Sequence, residues 1–229
     1  VLNSIDELLV HMDVVVEEVP SIVLMTESVL PKRIKEVEDT YQSMVSEGYP
    51  LDYLNVEYNL KEISNKADEI VERTKLLDMN QSLLELKVLT EYFDSVFKDF
   101  ERERIDRKTY EDNLLTFTTK LNKVNEIVND IYSQMEDIKN IYNLKDEDLV
   151  VLESIKNEVK DLNTNLKVLQ DHTNLTNTFA YSKLVKEVEG LSNNLSHTEE
   201  RLDGLLNIFG SMHDDELRAR QQLEEIKLK

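Results

Sequence analysis

The sequence predicts an all-α protein made of antiparallel three-helix bundles in tandem, joined by a long shared helix into an elongated rod. Apolar residues recur at alternating spacings of three and four along most of the chain, which is the pattern of packed helices. Only four of the 229 residues are glycine and three are proline, so turns are few and the helices are long. The apolar share of 40% is high enough to form packed cores.

The first helical segment is predicted over residues 5–44. Its apolar residues, spaced three and four apart, form a line along one side of the helix that is called the seam from here on. The spacing slips by one residue beside Pro31. Pro20 and Pro31 each lack a backbone donor, so we expect a bend or a break at one of them. The following stretch EGYPLD, residues 47–52, contains one glycine and one proline. It predicts the clearest turn in the chain.

A second helix is predicted from the apolar seam over residues 60–77. Ser82 followed three residues later by Glu85 fits a capping box, in which the hydroxyl and the carboxylate each accept from a backbone amide at the start of a helix. This pattern predicts a tight turn at residues 78–81 and a third helix that starts at Ser82.

The third helix contains the most highly charged stretch of the chain, KDFERERIDRKTYEDN at residues 98–113, with 11 charged positions of 16. The seam keeps its phase through this stretch, because the spacing from Phe93 to Leu121 is a whole number of sevens. Opposite charges lie three and four residues apart, which supports a helix. We therefore predict one continuous helix of about 60 residues and roughly 90 Å. Arg104 and Arg107 would occupy its seam positions, solvated between two cores.

A second bundle is predicted to follow the same order of helix, turn and helix. A short turn is expected at residues 142–148 and a fourth helix over residues 152–169. The polar stretch at residues 171–182 is interpreted as a loop, and the fifth helix is expected over residues 184–212. Charged residues occupy the seam positions a second time at residues 214–216, and beyond them the apolar residues continue at the same spacing.

The two charged crossings, near residues 104 and 216, are about 110 residues apart and indicate a repeat. The predicted boundaries are 1–104 for the first repeat, with the tail of a preceding helix at 1–12, 105–216 for the second repeat, and 217–229 for the start of a following helix. One long coiled-coil hairpin is the competing architecture, and the early turns disfavour it.

The charge of the chain excludes several classes of partner. With 47 acidic and 27 basic residues, the net charge of −20 opposes binding to nucleic acid and to an anionic membrane surface. No apolar run approaches the roughly 18 residues that a membrane span requires, and no signal peptide pattern is present. The absence of cysteine favours a reducing compartment. The chain begins and ends within helical patterns, so we expect it to be a segment of a longer protein.

The sequence offers no pattern for catalysis and predicts no metal and no cofactor. No two of the four histidines are three or four residues apart, which speaks against a metal site on a helix face. Paired carboxylates lie on predicted solvated faces, where nothing shifts their pKa for acid–base work. The phosphate-binding and nucleophile motifs rich in glycine do not occur. The four histidines of the chain, none of them predicted to bind a metal, are His11, His172, His197 and His213.

Two aromatic residues are candidates for contact with a partner protein. Most phenylalanines and tyrosines fall on seam positions and are predicted to be core. Tyr49 and Tyr53 instead flank the turn formed by Gly48 and Pro50, at the tip of the first bundle. They could contact a partner or pack the loop onto the end of the bundle, and the sequence leaves both alternatives open.

Three stretches of the sequence carry a resemblance to a known family. They are VLPKRIKEVEDTYQSMVSEGYPLDYLNVEYNLKEI at residues 29–63, LLELKVLTEYFDSVFKDFERERIDRKTYED at residues 83–112 and ARQQLEEIKLK at residues 219–229. In this order they resemble the EzrA family of regulators of septation ring formation in Gram-positive bacteria. The resemblance implies spectrin-like three-helix repeats in a long cytoplasmic region behind one amino-terminal membrane helix. A Gln-Asn-Arg patch associated with the family is absent, so no functional residue is carried over.

The resemblance also implies a function and partners. It implies a non-catalytic scaffold that restrains assembly of the tubulin-like protein FtsZ and links the division ring to the membrane and to cell-wall synthesis. FtsZ and other division proteins would be the partners, on the cytoplasmic side of the membrane at the septum, and weak homodimerisation stays open. No nucleic acid and no direct membrane insertion by this segment are expected.

Two other classes are weighed against this function. A membrane-curving module of the BAR type needs a basic concave face, which the net charge opposes. A helical-bundle metalloenzyme needs a Glu-x-x-His pair on each of two helices, and the sequence lacks those pairs.

Overall fold

The computed structural model describes residues 20–74, 79–135, 145–175 and 180–227 of the chain. Within these ranges the regular structure is helical and no strand occurs. Long helices pack against one another, so the predicted all-α fold class is confirmed. The principal helices are α1 (Leu30–Ser46), α2 (Val56–Thr74), α3 (Met79–Ser133), α4 (Asp146–Leu175) and α5 (Tyr181–Lys227).

The described chain enters α1 without a break at Pro31. Residues 20–24 are helical, and a π-helical turn at Met25–Val29 leads directly into α1. Such a turn inserts one extra residue into a helix, which explains the slip of register that the sequence shows beside Pro31. Pro31 lies at the start of α1, directly after this π-helical turn. A break at Pro31 is therefore wrong, whereas the residues before Pro20 lie outside the described ranges.

The capping box predicted at Ser82 and Glu85 is also wrong. Helix α3 already begins at Met79, and Ser82 is buried inside it. The Glu85 carboxylate does not cap the helix, since it accepts hydrogen bonds from Gln81 Nε2 at 3.1 Å and from Arg73 Nη2 on α2 at 2.6 Å. These two bonds, led by that from Gln81, hold the pKa of Glu85 below its usual value.

The described residues form two compact units, each with its own apolar core. One unit comprises the described residues up to Asp106 together with Ala180, and the other comprises those from Arg107 onward except Ala180. In the first unit the most completely buried side chains include Val37, Met44 and Phe93. The core of the second unit is built around a corresponding set on three helices, namely Phe117, Leu121, Ile155, Val188 and Leu195.

Helix α3 is unbroken for 55 residues and contributes to both cores. The prediction that residues 98–113 are helical is therefore confirmed. The expected solvation of this stretch is wrong at one position, because Glu103 is only 2% exposed. Arg104, predicted as a solvated seam position, is exposed as expected and pairs with Glu101 at 3.9 Å. The buried side of α3 in this stretch therefore includes Glu103, one residue before the seam position that the apolar pattern indicates.

The predicted loop at residues 171–182 is shorter than expected. Helix α4 continues to Leu175, and α5 begins at Tyr181, one residue before the end of the predicted loop. The turn predicted at residues 142–148 lies partly outside the described residues, and α4 starts within it at Asp146. Three acidic residues in the first turn of α4 favour this start, because they face the positive end of the helix dipole.

A set of half-buried polar contacts joins the helices of the second unit at the edge of its core. The hydroxyl of buried Thr198 on α5 donates to Glu158 Oε2 on α4 at 3.0 Å, and Arg201 pairs with the same carboxylate. On the other side of α4, the Asn163 amide donates to Asn125 Oδ1 on α3 at 3.1 Å. Of these groups only Thr198 is buried, and the others are half-buried at the edge of the core. Paired polar groups at such positions favour one register of the helices over its alternatives.

Tyr132 gives a pH dependence that can be tested. Its hydroxyl donates to Glu153 Oε2 at 2.6 Å, and Lys156 Nζ lies 4.2 Å from its ring centroid. Burial and then the Glu153 carboxylate raise the pKa of Tyr132 to about 12, against 10.0 in a free chain. The folded state therefore binds more protons between these values, and its stability is lost as pH rises through them. We expect the free energy of unfolding to fall less steeply from pH 10 to 12 in Tyr132→Phe.

The measurement is urea unfolding of both proteins at a series of alkaline pH values. Tyr58→Phe is the control, since Tyr58 is 65% exposed. An equal slope for Tyr132→Phe and the unsubstituted chain would rule out this hydroxyl as a source of the alkaline loss.

Candidate partner-contact loop

The loop between α1 and α2 begins with a Schellman motif at the end of α1. The Gly48 amide donates to Val45 O at 2.9 Å, and the Tyr49 amide donates to Met44 O at 3.0 Å. Gly48 has φ +84°, a left-handed conformation that glycine adopts without steric cost. The motif ends α1 sharply and directs Tyr49 back toward the core.

The rest of the loop is held by hydrogen bonds and by buried side chains at each end. Leu51 and Val56 are both 1% exposed, and a 3₁₀ turn at Asp52–Leu54 lies between them. Asn55 follows in a left-handed conformation with φ 48°, which asparagine tolerates better than most residues. The Asn59 side-chain amide donates to Leu54 O at 3.0 Å. The loop of residues 47–55, called the tip loop from here on, is thus a fixed structure.

The two tyrosines predicted at the turn have different surroundings. Tyr49 is half-buried and packs against the core of the first unit, which corresponds to the packing alternative. Tyr53 is 49% exposed and presents one side of its ring to solvent. Both lie in the tip loop, and Tyr53 is the one with free ring surface.

Tyr53 also explains how a carboxylate is buried in the charged stretch of α3. Its hydroxyl donates to Glu103 Oε1 at 2.7 Å. Burial, and then this hydrogen bond and the charge of Glu103, raise the pKa of Tyr53 well above its usual value. A buried carboxylate is costly unless a donor satisfies it, and the tip loop supplies one. The pair lies 50 residues apart in sequence and ties the tip loop to α3.

We expect Tyr53→Phe to lower the free energy of unfolding by about 1–3 kcal/mol, because it removes a donor from a buried carboxylate. The measurement is urea denaturation, with Tyr58→Phe as the matched control that removes an exposed hydroxyl from the same unit. Equal stabilities of the two variants would show that the bond to Glu103 contributes nothing. A double variant with Glu103→Gln should lose less than the sum of the two single changes.

Gly48→Ala should destabilise the chain by about 1 kcal/mol, because alanine is strained at a positive φ. Gly190 in α5 is the matched control, since an added Cβ there meets no atom within 4 Å and φ is not positive. Gly190→Ala should raise the free energy of unfolding by up to about 1 kcal/mol through helix propensity. Thermal unfolding of both variants measures the effects, and the same sign for the two would contradict the assigned role of Gly48.

The described part of the chain contains no arrangement suited to metal binding. No group of three or more His, Asp or Glu residues among the described residues could hold a metal ion. His197 lines a groove between α4 and α5 beside Glu158 and Asp161, while the side chains of the other three histidines lie outside those that are described. Among the helices of the described ranges, none has an apolar stretch of sufficient length to cross a bilayer.

The fold defines a class of protein, an all-α protein of long helices packed into bundles. The family model of the septation ring formation regulator EzrA matches residues 1–229, so the chain belongs to the EzrA family. The family and its curated members are named for the regulation of septation ring formation.

Curated relatives with the name septation ring formation regulator EzrA are similar over nearly the whole chain. The relative from Listeria monocytogenes serotype 4a is 22% identical over 213 residues, covering 92% of this chain and 37% of the relative. The relative from Bacillus licheniformis is 21% identical, with 99% and 40% covered, and that from Geobacillus sp. is 22% identical, with 100% and 39% covered. The chain therefore spans about two fifths of the length of these relatives. No solved structure matches it.

Proposed function

We propose that this chain is a non-catalytic scaffold and spacer segment of a division regulator, one that restrains assembly of the FtsZ ring and links the ring to the membrane and to the cell-wall machinery. The observation that carries the proposal is the unbroken helix α3, which runs through a stretch of 16 residues with 11 charges and contributes to two cores. A helix of this kind suits a protein whose task is to hold contact surfaces at a set spacing.

The division into repeats is part of the same proposal. We propose spectrin-like repeats at 1–104 and 105–216, followed by the start of a further helix at 217–229. The separate apolar cores support two repeats, and α3 would be the helix that they share. The proposed location is the cytoplasmic side of the membrane at the division septum, with the anchor supplied by the rest of the protein.

The tip loop is proposed as a contact for a division protein, through Tyr53 and its neighbour Tyr49. Support comes from the half-exposed ring of Tyr53, held by its hydroxyl, so that little side-chain freedom is lost on binding. Aromatic side chains with a fixed orientation are the residues that most often dominate protein interfaces.

The test uses the full-length parent protein and purified FtsZ. Tyr53→Ala in the parent should weaken its effect on FtsZ assembly, measured by sedimentation of polymers, while Tyr58→Ala should leave the effect unchanged. Circular dichroism must show equal helix content for both variants. The tip-loop contact is refuted if Tyr53→Ala restrains assembly as well as the unsubstituted protein does.

The isolated 229-residue chain should bind FtsZ weakly or not at all, because the proposed activity depends on the rest of the cytoplasmic region. Isothermal titration of FtsZ with the isolated chain measures this directly. Tight one-to-one binding by the isolated chain would contradict the spacer role.

A further inference from the structure

A groove lies between α1 and α2 of the first unit, adjoining the tip loop. Its volume is about 630 Å³. The buried side chains that line it are apolar, namely Val56 and Leu60, and Ile34 and Tyr41 are half-buried in its walls. This volume and lining are suited to a few side chains of an extended peptide.

Exposed carboxylates line the same groove. Glu38 and Asp39 come from α1 and Glu57 comes from α2, whereas Lys61 is the one basic residue in the described lining. The surrounding sequence is also acidic only, because no lysine or arginine occurs between Lys35 and Lys61. The acidic residues of that interval are Glu36, Glu38, Asp39, Glu47, Asp52 and Glu57. The groove therefore has a negative field around an apolar base.

Tyr41 lies in the wall of the groove, close enough to these acidic charges to be affected by them. Burial, followed by the charges of Glu57 and Asp52, raises the pKa of the Tyr41 hydroxyl. The same field that opposes ionisation of a phenol attracts a cation. The tyrosine ring adds a surface on which a guanidinium group can stack.

We propose that this groove binds a cationic, arginine-bearing segment of a partner protein. Arginine combines a planar group that stacks on Tyr41 with paired donors that match the carboxylates of Glu38, Asp39 and Glu57. Its methylene stem would lie along the apolar base of the groove. The inference rests on the proposed scaffold function, since it names the chemistry of one partner that the scaffold holds.

A second groove of the first unit shows why charge selects the occupant. It lies between α2 and α3, has a volume of about 450 Å³ and exposes Leu84 and Val88. Arg73 and Glu85 at its edge already neutralise each other at 2.6 Å. Its lining has both signs of charge, so it carries no preference for a cationic segment.

The test measures binding of a fluorescent oligo-arginine peptide to the 229-residue chain by anisotropy. The groove variant is Glu38→Gln, Asp39→Asn and Glu57→Gln. The matched control removes three exposed carboxylates of the first unit outside this groove, by Asp68→Asn, Glu69→Gln and Glu91→Gln. Loss of three charge pairs should weaken binding about tenfold or more in the groove variant. The control should change affinity by less than about twofold, since its charges act only at a distance.

A second variant tests whether the shape of the groove is needed for binding in addition to its charge. Ser64 is exposed in the lining, so Ser64→Trp should fill the groove while leaving all carboxylates in place. It should weaken peptide binding with unchanged helix content. Equal affinities of the groove and control variants, or full binding by Ser64→Trp, would overturn the proposal.

A second copy of the chain is the competing occupant, and analytical ultracentrifugation tests it. If the groove variant converts a dimer to a monomer and leaves peptide binding intact, the groove binds another copy and the proposal is wrong. Peptide binding is measured without FtsZ. Absence of peptide binding would therefore refute the groove proposal and not the scaffold role. A negative result in the FtsZ assay would refute the tip-loop contact and not the groove proposal.

Discussion

Proline in place of Arg104 should interrupt α3 between the two cores while each unit keeps its own helices. Proline in a helix interior removes one backbone hydrogen bond and clashes with the preceding turn, at a cost of about 3 kcal/mol or more. Arg104 is exposed, so the substitution removes no core contact and, apart from one surface ion pair with Glu101, acts on the backbone. We expect nearly unchanged helix content by circular dichroism and a clear change in the small-angle X-ray scattering profile.

Arg104→Ala is the control, because it removes the same side chain and its ion pair with Glu101 but keeps the helix. Its scattering profile should match that of the unsubstituted chain. An unchanged profile for Arg104→Pro would mean that this crossing does not behave as one continuous helix.

Truncation of a core phenylalanine should cause the largest loss of stability. Phe93 in the first unit is 0% exposed and Phe117 in the second is 1% exposed, and both lie on α3. Phe93→Ala and Phe117→Ala should each lower the free energy of unfolding by about 3–5 kcal/mol, through lost burial and the cavity that remains. Urea denaturation followed by circular dichroism measures both losses.

Leu115 provides the matched control on the same helix, since its side chain is 69% exposed. Leu115→Ala should change the free energy of unfolding by less than about 0.5 kcal/mol. A loss for Leu115→Ala as large as that for Phe117→Ala would contradict the assigned core face of α3.

The continuity of α3 could be predicted from sequence because its signal is periodic. The seven-residue spacing that links Phe93 to Leu121 survives the charged stretch, and both side chains are fully buried. The spacing of apolar residues predicts which side of a helix is buried, but it cannot show that a charged residue on that side is buried as well. That is why the pattern predicts a fully solvated charged stretch, although Glu103 in it is buried.

The burial of Glu103 depends on a partner that is distant in sequence. Tyr53 lies 50 residues away, and its hydroxyl reaches the carboxylate only because the tip loop folds over α3. The motif at the tip could be recognised from Gly48 and Pro50 alone, since a local turn has local signals. The function of Tyr53 as a donor has no such signal.

The failed capping box has a similar cause. Ser82 and Glu85 have the required spacing, but Glu85 lies opposite Arg73 on the neighbouring helix, and a tertiary ion pair occupies it. The slip beside Pro31 was visible in sequence, yet its structural form as a π-helical turn was not. A slip of one residue fits a break, a bend or an inserted residue equally well.

The central claim is that α3 passes unbroken through residues 98–113. The chain has no cysteine, so Lys98→Cys and Thr116→Cys introduce a unique pair of exposed positions for spin labels at either end of this stretch. Pulsed electron paramagnetic resonance then measures the distance between the labels. A continuous helix of this length predicts a single narrow distribution centred near 27 Å, at about 1.5 Å per residue. A broad distribution, or one centred well away from that distance, would show that the two cores do not share one helix.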